Sequence, residues 1–91
     1  MDYKKELSVY LDGLKDSCLR VFDYQEETMA DYDVNVERLI ATERVERTLN
    51  MAYGALQFAM EASIISFHDY DVMRRKQKDI YKRLLERVNK W

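Results

Sequence analysis

Residues 51–67 carry two apolar stripes at helical spacing, and they constrain the fold more than any other part of the chain. Because an α-helix repeats every 3.6 residues, side chains three and four positions apart lie on one side of it. The small-residue stripe is Ala52, Ala55, Ala59, Ala62 and Ser66; the large-residue stripe is Leu49, Tyr53, Leu56, Met60, Ile64 and Phe67. We interpret the stripes as two buried sides, which predicts a helix sandwiched between two partners.

Sparse turn signals indicate an all-helical chain. The 91 residues include two Gly and no Pro, and they contain no Asn-Gly, Asp-Gly or Gly-Gly hairpin signal. This length predicts a single domain, residues 1–91. A hydrophobic content of 47% argues against intrinsic disorder.

Three helices are predicted. The first covers residues 2–27, with a core stripe of Tyr3, Leu7, Tyr10, Leu14, Cys18 and Val21 that Leu11 and Phe22 broaden. The second is long and central, ending near residue 65, and its N-cap is one of four candidates: Thr28, Asp31, Asp33 or Asn35. The third follows a capping box that begins at Ser66, unless helices two and three are continuous. We therefore predict an all-α, three-helix antiparallel bundle.

Large apolar side chains are numerous for so small a core. Seven Tyr, three Phe, five Met and one Trp exceed what a small three-helix core readily hides. This surplus favours an oligomer or a bound partner, and we predict self-association as a homodimer. The small-residue stripe, through Ala52, Ala55, Ala59, Ala62 and Ser66, is the predicted dimer seam, although packing on another helix of the same chain is an alternative.

Charge is distributed unevenly along the chain. Residues 1–40 contain ten acidic and five basic residues, whereas residues 71–91 contain three acidic and eight basic residues. Opposite signs predict contacts between the two regions, within one chain or between copies. The acidic side chains expected to contact a basic protein partner are Asp12, Asp16, Asp23, Glu26, Glu27, Asp31 and Asp33.

The basic third helix supplies an alternative function, the binding of nucleic acid. Its candidate phosphate contacts are Arg74, Arg75, Lys78, Lys82 and Arg83. The overall acidic chain, with a net charge of −2, disfavours this alternative.

Candidate catalytic groups are few, and we predict that the protein is not an enzyme and has no cofactor or metal. His68 is the only histidine, no serine or cysteine stands at a recognisable nucleophile elbow, and Cys18 is far from it in sequence. Glu61 is not part of the Glu-x-x-His pattern of di-metal bundles. Glu43 and Glu46 resemble half of a magnesium site, which makes a Mg²⁺-dependent helical nucleotide hydrolase a less favoured hypothesis. Their alternation with arginines is typical of a solvated helix face.

The leading functional prediction is a small non-enzymatic regulator, adaptor or inhibitor that acts by protein–protein contact. Its size and lack of a catalytic signature suggest a phage or another mobile element as its source. Cys18, the only cysteine, suits a reducing cytoplasm. No segment is predicted to cross a membrane, because residues 51–67 are short for a span and contain Gln57 and Glu61.

Overall fold

The computed structural model describes residues 2–91, which contain three α-helices and no β-strand. Helix α1 is Tyr3–Thr28, a 3₁₀ turn follows at Met29–Asp31, α2 is Val34–Glu61 and α3 is Phe67–Asn89. The helices form a bundle whose longest dimension is 47 Å. The predicted all-α fold is confirmed. Within residues 2–91, none of the helices has the length and apolar character needed to cross a membrane.

Each helix begins at a polar side chain that accepts a hydrogen bond from a free backbone N–H of the first turn. Asp2 accepts from the N–H of Lys5 at 3.0 Å, and Asp33 accepts from the N–H of Asn35 at 2.8 Å. Asp33 is thus the N-cap of α2 among the four candidates. Ser66 accepts from the N–H of Asp69 at 3.0 Å, which confirms the predicted start of the third helix.

Helix α2 ends at Glu61, about one turn earlier than predicted, and it is not continuous with α3. The residue responsible is Ser63, whose φ of 60° lies in the left-handed region. The N–H of Ser63 donates to the carbonyl of Met60 at 3.1 Å, and the N–H of Ile64 donates to the carbonyl of Ala59 at 2.8 Å. These two bonds form a Schellman motif, in which the left-handed position is usually glycine. A serine at this position gives no sequence signal of a helix end.

The core consists of two apolar clusters, and α2 contributes to both while contacting α1 and α3. One cluster is Cys18, Phe22, Ala41, Val45, Tyr81, Leu84 and Val88; the other is Leu11, Ala52, Leu56, Ala59 and Ile65. Thr48 and Gln77 are buried between the clusters along α2 and α3, respectively. The Cys18 thiol contacts the Thr48 hydroxyl at 3.3 Å, so a polar link joins α1 to α2 where the two clusters meet.

The two stripes are neighbouring parts of one broad buried face, and the prediction of two separate sides is wrong. Ala52 and Leu56 come from different stripes, yet positions four residues apart differ by only about 40° around a helix. Together with Ala59, both pack in the same cluster of this chain. Ala55 is half-buried, whereas Ala62 and Ser66 are exposed and lie beyond the end of α2. The predicted dimer seam is therefore not a continuous exposed strip, because its two most buried alanines are covered by the chain's own helices.

The buried side of α1 is centred on other residues than the predicted core stripe. Tyr3 and Tyr10 are 56% and 45% exposed, while Leu11 and Phe22 are buried. Leu11 lies about 100° from Tyr10 around the helix, so burying the leucine turns the tyrosine toward solvent. The tyrosine side of α1 therefore remains on the surface.

Replacing Ser63 by glycine is expected to stabilise the fold by about 1 kcal/mol, because glycine adopts a left-handed backbone without steric cost. The measurement is the free energy of unfolding from urea denaturation. The matched control is Ser17→Gly, which places the same change in the exposed interior of α1 and is expected to destabilise by about 0.5 kcal/mol. Equal destabilisation by both variants would show that Ser63 is not strained.

Candidate protein-interaction surface

Four of the predicted acidic residues line one side of α1. Asp12, Asp16, Asp23 and Glu27 follow each other at intervals of four, seven and four residues, which places them within about 60° around the helix. All four are exposed. The helix therefore presents a row of carboxylates to solvent, as the sequence pattern predicts.

Three of the seven predicted acids bind groups within the chain. The guanidinium of Arg87 donates to Asp23 at 2.7 Å and to both carboxylate oxygens of Glu26 at 2.5 and 2.9 Å. The indole N–H of Trp91 also donates to Glu26, at 2.8 Å. We call Asp23, Glu26, Arg87 and Trp91 the Arg87 cluster. Asp33 is occupied separately, as the N-cap of α2.

The Arg87 cluster joins the C-terminal ends of α1 and α3. Hydrogen bonds from Arg87 hold the pKa of Glu26 below its usual value, against a smaller opposing effect of burial, and the indole N–H of Trp91 acts in the same direction. The Trp91 ring packs edge-on against Phe22 with centroids 5.8 Å apart, and Arg38 of α2 donates to the backbone oxygen of Trp91. All three helices therefore meet at this residue.

A second ion pair joins the opposite ends of the same two helices. The ammonium of Lys4, near the start of α1, lies 3.0 Å from the carboxylate of Asp69, near the start of α3. The hydrogen bond from Lys4 lowers the pKa of Asp69. The predicted attraction between the acidic and basic regions operates within one chain through the Arg87 cluster. The Lys4–Asp69 pair is a separate contact, because Lys4 is a base of residues 1–40 and Asp69 precedes residues 71–91.

The remaining predicted acids are Asp12, Asp16, Glu27 and Asp31. All are exposed, and among residues 2–91 none of them forms an ion pair or a side-chain hydrogen bond. Exposed carboxylates without an internal partner keep their full charge available to a cationic surface.

Three of the five predicted basic residues of α3 contact groups within the chain, two in ion pairs and one in a cation–π contact. Arg75 pairs with Asp71 and Arg83 pairs with Asp79, each at 3.0 Å. The Arg74 guanidinium lies 4.2 Å from the centroid of the Tyr53 ring, a cation–π contact with α2. Lys78 and Lys82 have no acidic partner within residues 2–91 and border an open groove between α2 and α3 of about 220 Å³. Its floor is apolar, with Val45, Leu49, Tyr81 and Leu85 among its lining residues.

The candidate catalytic residues do not converge. His68, Glu46 and Glu61 are exposed, and Glu61 accepts only from its helical neighbour Gln57 at 3.3 Å. Glu43 pairs with Arg47 at 2.8 Å on the same exposed helix side. Over residues 2–91, no three His, Cys, Asp or Glu side chains are grouped so that they could hold a metal ion.

Sequence reasoning placed Trp91 in the apolar stripe of the third helix but missed the contact by which Arg87 and Trp91 anchor the acidic side of α1 to α3. Their four-residue spacing near the end of a helix places them on one side, and this was the available signal. Tyr81 was also missed: it is almost fully buried, its hydroxyl has no hydrogen-bond partner within residues 2–91, and desolvation raises its pKa to about 12. Burial therefore keeps the Tyr81 phenol neutral at neutral pH.

Comparisons with known proteins found no matching family model, no matching curated protein and no matching solved structure.

Replacing Arg87 by glutamine is expected to lower the free energy of unfolding by about 1 kcal/mol near neutral pH, a value reduced by the partial exposure of the cluster. Because the pKa of Glu26 is lowered in the folded state, its contribution is complete above the ordinary value of 4.5 and is lost as the pH falls through the lowered value. The difference between wild type and variant should therefore shrink in acid, as measured by urea denaturation from about pH 7 to pH 3.

The matched control for this prediction is Arg83→Gln, which breaks an exposed pair within α3 and should change stability by less than about 0.5 kcal/mol. A difference between wild type and Arg87→Gln that stays constant across the pH range would contradict the proposed role of Glu26.

Proposed function

We propose that this protein is a small non-enzymatic interaction module, a regulator, adaptor or inhibitor, that binds a basic protein partner through α1. The observation that carries the proposal is the set of exposed acids without internal partners within residues 2–91: Asp12, Asp16 and Glu27 of α1, and Asp31 of the 3₁₀ turn that follows it. The same helix supplies Asp23 and Glu26 to the Arg87 cluster, which fixes its position on the bundle. A rigidly held row of carboxylates presents its charge without the entropic cost of ordering a flexible segment.

The proposal includes an antiparallel order of the three helices. Its support is the pattern of bonds between helix ends: Gln25 near the end of α1 donates to Glu37 near the start of α2 at 2.8 Å. The Lys4–Asp69 pair joins the starts of α1 and α3, and the Arg87 cluster joins their ends. In this arrangement α1 and α3 run in the same direction and α2 runs in the opposite direction.

Self-association as a homodimer is a second part of the proposal. It is supported by the large side chains that remain exposed after the chain has folded, among them Phe58 at 67% and Tyr24 at 63%. A dimer would present two acidic rows, which raises the effective concentration of the second contact once the first has formed.

Removing the unpaired carboxylates is expected to weaken binding to a basic partner. The variant is Asp12→Asn, Asp16→Asn and Glu27→Gln together, and the probe is a lysine- and arginine-rich peptide of about twenty residues, titrated by fluorescence anisotropy. We expect at least about a tenfold loss of affinity, together with a shallower dependence on salt, because exposed charges are screened over about 10 Å at 0.1 M.

The control variant has the same change in net charge at other positions: Glu43→Gln, Glu46→Gln and Glu86→Gln together. Its affinity for the peptide should fall by less than about threefold. Equal losses in the two variants would show that only net charge matters and that α1 is not the binding surface. Binding by the wild type that does not weaken with salt would also count against the proposal.

Binding of nucleic acid is the second candidate function, and Lys78 and Lys82 favour it because they have no acidic partner in the part of the chain that the structure describes. A gel shift at low salt with duplex and single-stranded DNA and RNA tests it. A shift that Lys78→Ala with Lys82→Ala reduces by roughly an order of magnitude would support phosphate contacts by these lysines. No shift at micromolar protein would exclude them.

A further inference from the structure

We infer that the outer side of the α1–α2 pair is the surface through which two copies of this chain associate. The inference rests on the self-association included in the proposed function and assigns it a place. We call this surface the α1/α2 face and define it by six exposed side chains: Tyr3, Tyr10 and Tyr24 of α1 and Ile40, Met51 and Phe58 of α2. Between 45% and 67% of each of these residues is exposed.

The α2 residues of this face form one straight line. Met51 and Phe58 follow Ile40 by 11 and 18 residues, which places all three within about 20° around the helix. Ile40 is about 60° from Glu37, which accepts from α1, and about 140° from Tyr53, over which Arg74 of α3 stacks. The line therefore lies beside α1 and turns away from α3.

The tyrosines of α1 lie on the matching flank. Tyr10 is about 80° around the helix from Cys18, which bonds to α2, and about 160° from Glu26, which bonds to α3. Like the line on α2, the tyrosine side is next to the α1–α2 contact and far from α3. The two flanks therefore form one continuous surface on the same side of the bundle.

Both glycines of the chain border this surface. Packing within one copy does not require a glycine at either position. A Cβ atom built at Gly13 or at Gly54 meets nothing within 4 Å, and both positions are exposed in the interior of a helix. Glycine there costs roughly 1 kcal/mol relative to alanine. Gly13 is three residues from Tyr10 and Gly54 is four residues from Phe58, so both would allow a second backbone to approach the face closely.

The spacing of residues along α2 fits a two-fold axis that is perpendicular to the helix and crosses it at the level of Leu49. Ile40 and Phe58 lie nine residues on either side of it, so an antiparallel copy would place the isoleucine of each chain against the phenylalanine of the other. Such self-complementarity is what a closed two-fold interface requires.

The same axis also passes through the centre of the tyrosine flank. The Gln25–Glu37 hydrogen bond sets these two residues at one height. Because α1 and α2 run in opposite directions, Gly13, twelve residues before Gln25, is then level with Leu49, twelve residues after Glu37. The outermost tyrosines of the face lie ten and eleven residues on either side of Gly13. A single axis therefore relates both halves of the face.

The area of the face suits a pair of small subunits. If a large apolar side chain offers about 200 Å², the six residues expose roughly 600 Å² on each copy. A standard specific interface buries about 800 Å² per partner, which neighbouring side chains at the rim would complete. Ala55 and Ala62, two accessible members of the predicted seam, lie within about 60° of the Met51–Phe58 line and would be part of that rim.

The test compares two phenylalanines of similar exposure, Phe58 at 67% and Phe67 at 72%, of which only Phe58 is on the face. Sedimentation equilibrium of the wild type should give twice the chain mass of 11.0 kDa. Phe58→Asp should raise the dissociation constant of the dimer at least about tenfold, because it replaces a large aromatic contact by a charge that the interface would bury without a partner. Phe67→Asp should change it by less than about twofold, and circular dichroism reports whether each variant is folded.

A second variant separates folding from association. Gly54→Ala should raise the stability of the single chain, since alanine favours helix, and should weaken association at least about threefold, since its methyl group holds the partner backbone away. Unchanged or stronger association of Gly54→Ala would contradict close approach at this position.

The outcomes distinguish this inference from the proposed function. A dimeric wild type with equal dissociation constants for Phe58→Asp and Phe67→Asp would overturn the α1/α2 face while leaving self-association in place. A wild type of 11.0 kDa at up to about millimolar concentration would overturn both the face and the dimer. The peptide titration of the acidic row is independent of either result.

Discussion

The burial of one broad face of α2 against both other helices is the constraint on which the rest of the molecule depends. Ala52 and Ala59 are small enough to let a neighbouring chain segment approach, and Leu56 between them fills the space that this approach creates. The alanines bury little apolar area. Stability therefore also requires the larger side chains of the other apolar cluster, which contains Phe22 and Tyr81. Once α2 is fixed in this way, the outward sides of α1 and α3 are fixed too.

Charge is then divided between structure and surface. The Arg87 cluster and the Lys4–Asp69 pair use opposite charges to hold the two ends of α1 against α3. These contacts occupy Asp23 and Glu26 of the acidic region, and Asp12, Asp16 and Glu27 of α1 remain exposed to solvent. The exposed apolar side chains lie on the other flank of α1, so the acidic row and the α1/α2 face occupy different sides of the same helix. Contact with a basic partner and association of two copies are therefore compatible.

The sequence predicts the three helices and the starts of α1 and α3 well, because apolar spacing and capping side chains are local signals. For α2 it offers four candidate N-caps, of which the structure selects Asp33. It predicts the end of α2 poorly, since Ser63 takes a left-handed conformation that serine rarely adopts and no glycine marks it. Periodicity also fails to separate two buried sides from one broad face: Ala52 and Leu56 belong to different stripes and yet pack in one cluster. For the candidate site, the acidic row follows from sequence, but the engagement of Glu26 by Arg87 depends on a contact between residues 61 positions apart.

The most direct test asks whether Ala52 and Ala59 of α2 are covered by the same chain or by a second copy. The measurement is an isotope-filtered nuclear Overhauser experiment on a mixture of labelled and unlabelled chains. If the buried face of α2 is completed within one chain, the methyl groups of Ala52 and Ala59 show contacts to Leu11 only within a single copy, and these contacts persist on dilution. Contacts from those alanines to the other copy, lost on dilution, would contradict the account.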